Sequence, residues 1–300
     1  MPSFDHFVIT RFSAVFTPDS PPADPEWLEY RYNFFREAAC AALARQRGDV
    51  EFRWLVFIDD RADAEFIAAM VELSRGVFEP VLTHEVWGAD LVQREVAARS
   101  SAPFLITTRL DSDDALGMRF IETVQSHFAE QELMYVNLNR GLQVDRTGSI
   151  YRFDAPANAF ISLIEKRLPA QMPRTVYLDH YHTASRNHGP VLEVITRPMW
   201  IQVVHGGNIA NQVRGTRVRP QVARAAIDMD LWYRTRIGPL RYAGEKLAWW
   251  REVVTTPGGI AGLLRDRAYR LQGTRMRPML PQPAETSPRS LRAASDENRA

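Results

Sequence analysis

The first half of this 300-residue sequence alternates short, mostly apolar segments with longer amphipathic ones. The short segments have the length of strands and are too apolar for a sheet that exposes one face to water. They comprise residues 6–12, 52–58, 80–83, 103–110 and 133–138. They are separated by helix-like segments at residues 26–46, 62–74, 91–99 and 118–129. This alternation predicts an α/β fold in which helices cover both faces of a sheet.

The second half of the chain predicts that the sheet is mixed and not purely parallel. A hairpin is expected first, followed by a second strand pair at residues 191–196 and 200–204. Beyond about Gly215 no strand is expected, and residues 221–235 and 240–254 have helical periodicity.

Three regions are therefore expected along the chain. Residues 1–213 form the main α/β domain, and residues 214–272 form a helical extension packed on it. Residues 273–300, rich in Pro, Ser, Arg and Ala, form a disordered tail. No apolar run is long enough to span a membrane, no secretory signal is expected from the first residues, and the single cysteine, Cys40, excludes an internal disulfide. These features favour a cytoplasmic protein.

Charge is distributed unevenly along the chain. Residues 1–213 carry 20 basic and 28 acidic side chains, a net charge of −8. Residues 214–300 carry 17 basic and 8 acidic side chains, a net charge of +9, and include the adjacent pair Trp249 and Trp250. This basic region suits an interfacial helix on an anionic membrane, or a helix packed on the core with a solvated charged face. The sequence leaves both open.

The acidic cluster Asp111–Asp114 follows directly after the apolar segment 103–110. Ligands of open α/β sheets bind beyond the carboxyl ends of the strands, so this is the position of a binding site. Three carboxylates within four residues repel one another, and a hard divalent cation such as Mg²⁺ or Mn²⁺ would relieve the repulsion. The cluster therefore predicts a metal site, although Asp113 and Asp114 could instead cap the next helix.

Other polar side chains follow apolar segments at the same predicted edge. Arg11 and Arg109 are candidates to contact a bound nucleotide. Asp59 and Asp60 could accept hydrogen bonds from its base or ribose, or could cap the helix that follows.

His205 and Asn208 follow the last apolar segment, on either side of two glycines that allow a ligand to approach the backbone. A neutral histidine is a good metal ligand, whereas a hydrogen-bonded structural role is the alternative for His205.

Three motifs in this order resemble the bacterial rhamnosyltransferase family. They are Phe52–Asp59 (FRWLVFID), Thr107–Leu116 (TTRLDSDDAL) and Trp200–Ile209 (WIQVVHGGNI). The resemblance covers roughly residues 4–255. It implies a GT-A-like fold for nucleotide-diphospho-sugar transfer, with residues 1–213 as the catalytic domain.

The resemblance also implies roles for individual residues. Asp111 and Asp113 would hold Mn²⁺ or Mg²⁺, and His205 would complete the metal site. Asp59 would contact the nucleotide base, and Asp114 would contact the sugar or cap the helix.

Glycosyl transfer is the function that this combination predicts. A sugar, rhamnose by the family's name, would pass from a nucleotide-diphospho-sugar donor to a hydroxyl of a glycan or glycolipid acceptor. An inverting reaction also needs a carboxylate base. Glu165 is the first candidate and Asp179 the second, although Glu165 could instead be an exposed residue at the end of a helix.

Two other functions remain as alternatives. A nucleotidyl- or phosphotransferase that uses the same metal is a distant second, because the sequence has no Gly-rich, Lys-bearing phosphate loop. A non-catalytic protein that binds sugar nucleotides or an anionic lipid surface would use the basic C-terminal part, which could also give peripheral contact with the inner membrane. No nucleic-acid partner is predicted.

Overall fold

Two β-sheets with helices packed against them make up the described part of the chain. The computed structural model describes residues 3–145, 147–169, 171–177, 182–205, 216–219 and 239–280. The predicted α/β class, with a mixed sheet, helices on both faces and C-terminal helices, is confirmed.

The elements follow one another along the chain as predicted in the first half, with additional short strands in the second. The strands are β1 (Phe4–Ser13), β2 (Arg53–Ile58), β3 (Glu79–Leu82), β4 (Phe104–Arg109), β5 (Ala115–Leu116), β6 (Leu133–Leu138), β7 (Arg140–Asp145), β8 (Ile150–Asp154), β9 (Ser162–Lys166), β10 (Val191–Val194), β11 (Trp200–Val204), β12 (Thr216–Val218) and β13 (Arg275–Arg277). The helices are α1 (Pro25–Phe34), α2 (Ala41–Leu43), α3 (Ala64–Ser74), α4 (Ala89–Ala97), α5 (Phe120–Gln125), α6 (Pro239–Thr255) and α7 (Gly259–Arg270). A π-helical stretch, Phe35–Cys40, joins α1 to α2, and His182–Asn187 form a 3₁₀ helix.

The main sheet has the strand order β13-β10-β6-β9-β4-β1-β2-β3 among the described residues. Strands β4, β1, β2 and β3 are parallel neighbours. Strand β9 runs antiparallel between β4 and β6, so β6 has the same direction as β4. The carboxyl ends of β1, β2, β4 and β6 therefore share one edge of the sheet, which is where a ligand site is expected.

Apolar side chains cover both faces of this sheet. On one face, α1, α3 and α5 contribute Leu28, Phe66 and Phe120 to a core that also contains β1 and β2 residues. On the other face, α4 contributes Leu91 and Val92, among others, against β1 and β2. Because both faces are dry, the strands are apolar along most of their length, which is the pattern that the sequence shows.

The second sheet has the order β12-β8-β7-β11-β5 in the part of the chain that is described. Strand β5 follows the acidic cluster and pairs antiparallel with β11, with Leu116 opposite Trp200 and Ala115 opposite Ile201. This pairing lays the end of β11, and the residue after it, His205, beside the acidic cluster.

The start of α1 follows from its sequence. Asp24 caps it, because its carboxylate accepts hydrogen bonds from the backbone N–H groups of Glu26 and Trp27, at 2.9 and 3.2 Å. Pro25, which lacks an N–H, occupies the first turn, where none is needed. Together, these two residues fix where the helix begins.

The prediction that strands stop near residue 215 is wrong. Strand β12 pairs with β8, and β13 pairs with β10 at the end of the main sheet. Arg275 and Arg277 of β13 both bind the buried carboxylate of Glu193, at 2.7 and 3.1 Å, so ion pairs hold this polar edge strand. Hydrophobic periodicity cannot reveal a strand of this kind.

The predicted strand pair at residues 191–204 is also not formed. Strand β10 joins the main sheet beside β6, whereas β11 joins the second sheet between β7 and β5. The predicted tail, 273–300, includes β13 in its first residues, and the predicted helix at 221–235 lies outside the described residues. The division into three regions stays a prediction.

Candidate functional site

The carboxyl edge of the main sheet brings together most of the predicted site residues. Arg11 lies on β1, and Asp59 and Asp60 follow β2. Arg109 ends β4, and the acidic cluster follows it directly. The antiparallel pairing of β5 with β11 adds His205. Parallel strand order and one antiparallel pair therefore account for the convergence of these residues.

Asp113 and His205 form a direct contact at the centre of this site. The Nε2 atom of His205 lies 2.8 Å from Oδ2 of Asp113, although the two residues are 92 positions apart. Both side chains are buried, with 2% and 7% of their surface exposed. The family resemblance implied a metal site of Asp111, Asp113 and His205, and the structure places two of these three residues side by side.

Helix α1 contributes three side chains that the sequence analysis did not identify. The Tyr30 hydroxyl lies 3.1 Å from Nδ1 of His205, and the Phe34 ring stacks on the imidazole with centroids 4.5 Å apart. Arg31 donates hydrogen bonds from Nη1 to Asp113 Oδ2 at 3.0 Å and from Nη2 to Ser112 Oγ at 2.6 Å. A Tyr-Arg pair followed by Phe on one helix is also typical of an amphipathic surface helix, so no distinct signal marked these residues.

The carboxyl groups of the cluster have different environments. Burial alone would raise the pKa of Asp113, but the hydrogen bond with His205 and the Arg31 charge outweigh it and lower that pKa. Burial, with the charges of Asp113 and Asp111, raises the pKa of Asp114 well above its usual value. Asp114 accepts a 2.8 Å hydrogen bond from the backbone N–H of Val203, so it joins the cluster to β11. It does not cap α5, which begins at Phe120 without a side-chain cap.

The roles of the two ring nitrogens of His205 depend on its contacts with Tyr30 and Asp113. The Tyr30 hydroxyl also lies 3.3 Å from the carbonyl oxygen of His205, to which it can donate. In the neutral tautomer with Nε2–H, the imidazole donates to Asp113 and Nδ1 accepts from the Tyr30 hydroxyl. In the tautomer with Nδ1–H, Nε2 presents a lone pair that a metal ion could take together with Asp113 Oδ2.

Asp113 and His205 supply part of the ligand set that a divalent cation needs. Two ligands at right angles on an ion with bonds of about 2.1 Å lie about 3 Å apart, close to the Asp113–His205 separation. Within the described ranges, no group of three or more His, Cys, Asp or Glu side chains is arranged to hold a metal ion. Mg²⁺ is commonly held by one or two protein carboxylates together with substrate phosphates and water, so two protein ligands are compatible with the prediction.

Asp111 points to a different partner. Its carboxylate receives hydrogen bonds from Arg109 Nη2 to both oxygens, at 3.0 Å each, and it is the most exposed carboxylate of the cluster. The Arg109 guanidinium lies 5.7 Å from the ring centre of Tyr177. Burial raises the pKa of the Tyr177 hydroxyl, whereas the charge of Arg109 lowers it. Burial has the larger effect, and the pKa rises to about 12.

The residues predicted to contact the nucleotide already have protein partners. The Asp59 carboxylate accepts hydrogen bonds from Nε and Nη2 of Arg61, at 2.9 and 2.8 Å. Asp60 pairs with His84 at the surface. Neither caps α3, whose cap is Asp63. The Arg11 guanidinium lies 4.8 Å from the ring centre of the exposed Phe16, next to Trp87.

Glu165 is not part of this site. It lies on β9 and not at the end of a helix, and it pairs with Leu105, near the start of β4. Asp111 is six residues farther along, so the two carboxylates are about 20 Å apart, at opposite edges of the sheet. Backbone N–H groups of Arg174 and Thr175 each bind the Glu165 carboxylate at 2.8 Å, which explains why it can be buried there. Asp179 and Asn208 lie outside the described residues.

The family to which this chain belongs follows from a match to a protein-family model. The family model described as "Putative rhamnosyl transferase" matches residues 21–217, about two thirds of the sequence. The chain belongs to this rhamnosyl transferase family. The matched region includes α1, the acidic cluster and His205, so the family covers the whole central site. Membership confirms the resemblance that the three motifs indicated.

Solved structures are only weakly similar to this member of the rhamnosyl transferase family. Residues 1–349 of S. aureus TarS in complex with UDP share 16% identity over 45% of this chain and 35% of that chain, with a TM-score of 0.30. HddC from Yersinia pseudotuberculosis shares 9% identity over 74% of this chain and 98% of that chain, with a TM-score of 0.32. The chain thus spans about a third of the TarS structure that it matches, and no curated protein matches it. The family match, and not these likenesses, carries the assignment.

Proposed function

We propose that this protein transfers a sugar from a nucleotide-diphospho-sugar to a hydroxyl of a glycan or glycolipid acceptor, with a divalent cation. The sugar would be rhamnose, as the family description indicates. The observation that carries the proposal is the Asp113–His205 pair at the carboxyl edge of the sheet, inside the region that the family model matches. A carboxylate and an imidazole in contact there suit a cation that binds a diphosphate.

The proposed reaction assigns a task to each part of the site. Asp113 and His205 would hold Mn²⁺ or Mg²⁺, which when bound stabilises the negative charge of the leaving diphosphate. Tyr30 and Phe34 fix the plane of the His205 ring by a hydrogen bond and by stacking. Arg109 holds Asp111, and the pair lies at the open side of the cluster. These groups are positioned before the donor binds, so they need little reorganisation as charge develops.

A donor screen tests this proposal directly. Purified protein is incubated with UDP-, GDP- and dTDP-linked sugars, including a rhamnose donor, and release of the nucleoside diphosphate is measured. We expect release from at least one donor with Mn²⁺ or Mg²⁺, and loss of that release after chelation with EDTA.

The screen also separates the proposal from its alternatives. Binding of a nucleotide sugar without turnover, with every acceptor tested, would favour a non-catalytic sugar-nucleotide binding protein. Release of pyrophosphate from a nucleoside triphosphate would favour a nucleotidyltransferase. Absence of both binding and turnover with all donors would contradict the proposal.

We also propose that the C-terminal helices contact an anionic membrane surface where the acceptor is a glycolipid. Helix α6 carries an outward apolar stripe in which Leu240, Leu247, Trp250 and Val254 are 88%, 73%, 49% and 62% exposed. On its inner side Glu245 binds Arg217 of β12. Residues 239–280 carry eight basic and three acidic side chains, so basic charge accompanies the stripe. An apolar stripe with basic neighbours is typical of a helix that lies in a membrane interface.

A vesicle experiment tests the membrane contact. We expect the protein to sediment with vesicles that contain phosphatidylglycerol, and less with pure phosphatidylcholine. Leu247→Glu should lower the bound fraction roughly 10-fold, because burying a leucine side chain contributes about 1.5–3 kcal/mol. The control, Ala248→Glu, adds the same charge to an exposed position about 100° around the helix and should have a smaller effect.

Equal sedimentation of both variants with anionic vesicles, or no sedimentation of the unmodified protein, would contradict the membrane contact. The described part of the chain contains no helix that is long and apolar enough to cross a membrane. The cytoplasmic location stays a prediction.

A further inference from the structure

Arg31 is a cation at the centre of the site that the family motifs did not include. It lies on α1, outside all three motifs, yet its guanidinium contacts both Asp113 and Ser112. The side chain is 16% exposed and lies 5.5 Å from the ring centre of Trp27. Beside the acidic cluster, Arg31 could neutralise Asp113 alone, or it could also bind a ligand.

The hydrogen bonding of Arg31 is incomplete in a way that neutralisation does not explain. A guanidinium has five N–H donors in a fixed plane. Nη1 and Nη2 bind the cluster, but the buried Nε has no hydrogen-bond partner among the described residues. Most buried donors in native structures are paired with protein, water or a ligand. An unpaired donor beside a ligand site is therefore expected to find its partner when the ligand binds.

The charges around Arg31 also favour an anionic ligand. Asp111 is paired with Arg109, and Asp114 accepts a hydrogen bond from the backbone N–H of Val203. Asp113 has two partners, Arg31 and His205. The carboxylate of Asp113 would repel a diphosphate that binds beside it. The positive charge of Arg31 next to Asp113 lowers that repulsion.

We propose that Arg31 binds the diphosphate of the nucleotide-sugar donor and stabilises it as the leaving group. The planar fork of an arginine matches two phosphate oxygens, and its charge is permanent. Arg31 keeps its contact with Ser112, which orients the guanidinium toward the cluster. This inference rests on the proposed function, because it names a residue that contacts the same donor.

The test compares ligands that do and do not contain the diphosphate. Binding of UDP, GDP and dTDP, and of the matching nucleosides, is measured by calorimetry with Mn²⁺ present. For the nucleoside diphosphate that the unmodified protein binds, Arg31→Gln should weaken binding roughly 10- to 100-fold, the effect of losing a hydrogen bond to a charged group. Binding of the matching nucleoside should be unchanged, and Arg31→Lys should be intermediate.

A matched control and a second measurement separate binding from structure. Arg36, farther along the same helical segment, pairs with the exposed Glu37, and Arg36→Gln should leave all affinities unchanged. Mn²⁺ binding, followed by electron paramagnetic resonance, should not be weakened by Arg31→Gln, because a competing charge beside Asp113 has been removed. If Arg31→Gln does not fold, the Arg31→Lys comparison alone decides the question.

The outcomes are distinct. Unchanged diphosphate binding in the variants, or equal weakening of nucleoside and diphosphate, would overturn the role of Arg31. Weakened Mn²⁺ binding in parallel with the diphosphate would show that Arg31 acts only through Asp113, which also overturns it. Failure of the unmodified protein to bind any of the three nucleoside diphosphates would instead contradict the proposed function.

Discussion

Replacing Asp113 by Asn should lower nucleotide-sugar turnover roughly 100-fold or more, while the protein stays folded. Asp113 Oδ2 is the atom at which His205 and Arg31 meet, so loss of its charge affects both contacts. Asn has nearly the same shape, and it retains an oxygen that can accept from Arg31. The measurement is nucleoside diphosphate release at saturating donor, together with a Mn²⁺ titration.

Asp111→Asn should have a smaller effect, roughly 10-fold, because the Asp111 carboxylate is bound by Arg109 and not by His205. From the sequence both aspartates were expected to hold the metal, so the ratio of the two variants tests the structure. Asp60→Asn, at the carboxylate that pairs with His84 on the surface, is the control and should keep near-normal turnover. Full activity of Asp113→Asn would rule out a central role for the Asp113–His205 pair.

Gly141→Ala should destabilise the protein by about 2 to 3 kcal/mol. A Cβ at this position in β7 would lie 2.2 Å from atoms of the Trp200 ring, far inside contact distance. The ring cannot easily move, because its Nε1 donates a 2.7 Å hydrogen bond to the Leu138 carbonyl and Phe160 stacks on it at 4.6 Å. Urea unfolding, monitored by tryptophan fluorescence, gives the change in free energy of unfolding.

Gly244→Ala is the matched control for this substitution. Gly244 lies inside α6, and a Cβ there would have no atom of the described residues within 4 Å. Because alanine favours a helix more than glycine does, Gly244→Ala should leave the free energy of unfolding unchanged or raise it by up to about 1 kcal/mol. A Gly141→Ala protein as stable as the control would mean that Trp200 does not pack against β7 as described.

The parallel half of the fold could be predicted from the sequence because its strands are buried on both faces. Strands β1, β2, β4 and β6 are apolar along most of their length, and helices α1 and α3 have the side-chain caps Asp24 and Asp63. Most later strands pair with segments that are distant along the chain, apart from the hairpin of β7 and β8. Strand β13 depends on two arginines that bind Glu193, a contact that no local pattern encodes.

Glu165 shows where inference from the sequence failed at the site. The sequence predicted either a base near the acceptor hydroxyl or an exposed residue at the end of a helix. The strand direction of β9 decides otherwise, because an antiparallel strand carries its last residues to the opposite edge of the sheet. Strand direction is a property of the pairing and is not written in the composition of the segment.

The sequence by itself determined the α/β class, the strand ends that carry polar residues, and the three motifs of the rhamnosyl transferase family. These are local features, since each depends on residues that are close together along the chain. Only the tertiary structure decided which of those residues meet. The pairing of β5 with β11 brings Asp113 against His205, and the packing of α1 adds Tyr30, Arg31 and Phe34. The physical reason is that such contacts join segments far apart in the chain, so only the packed sheets and helices define them.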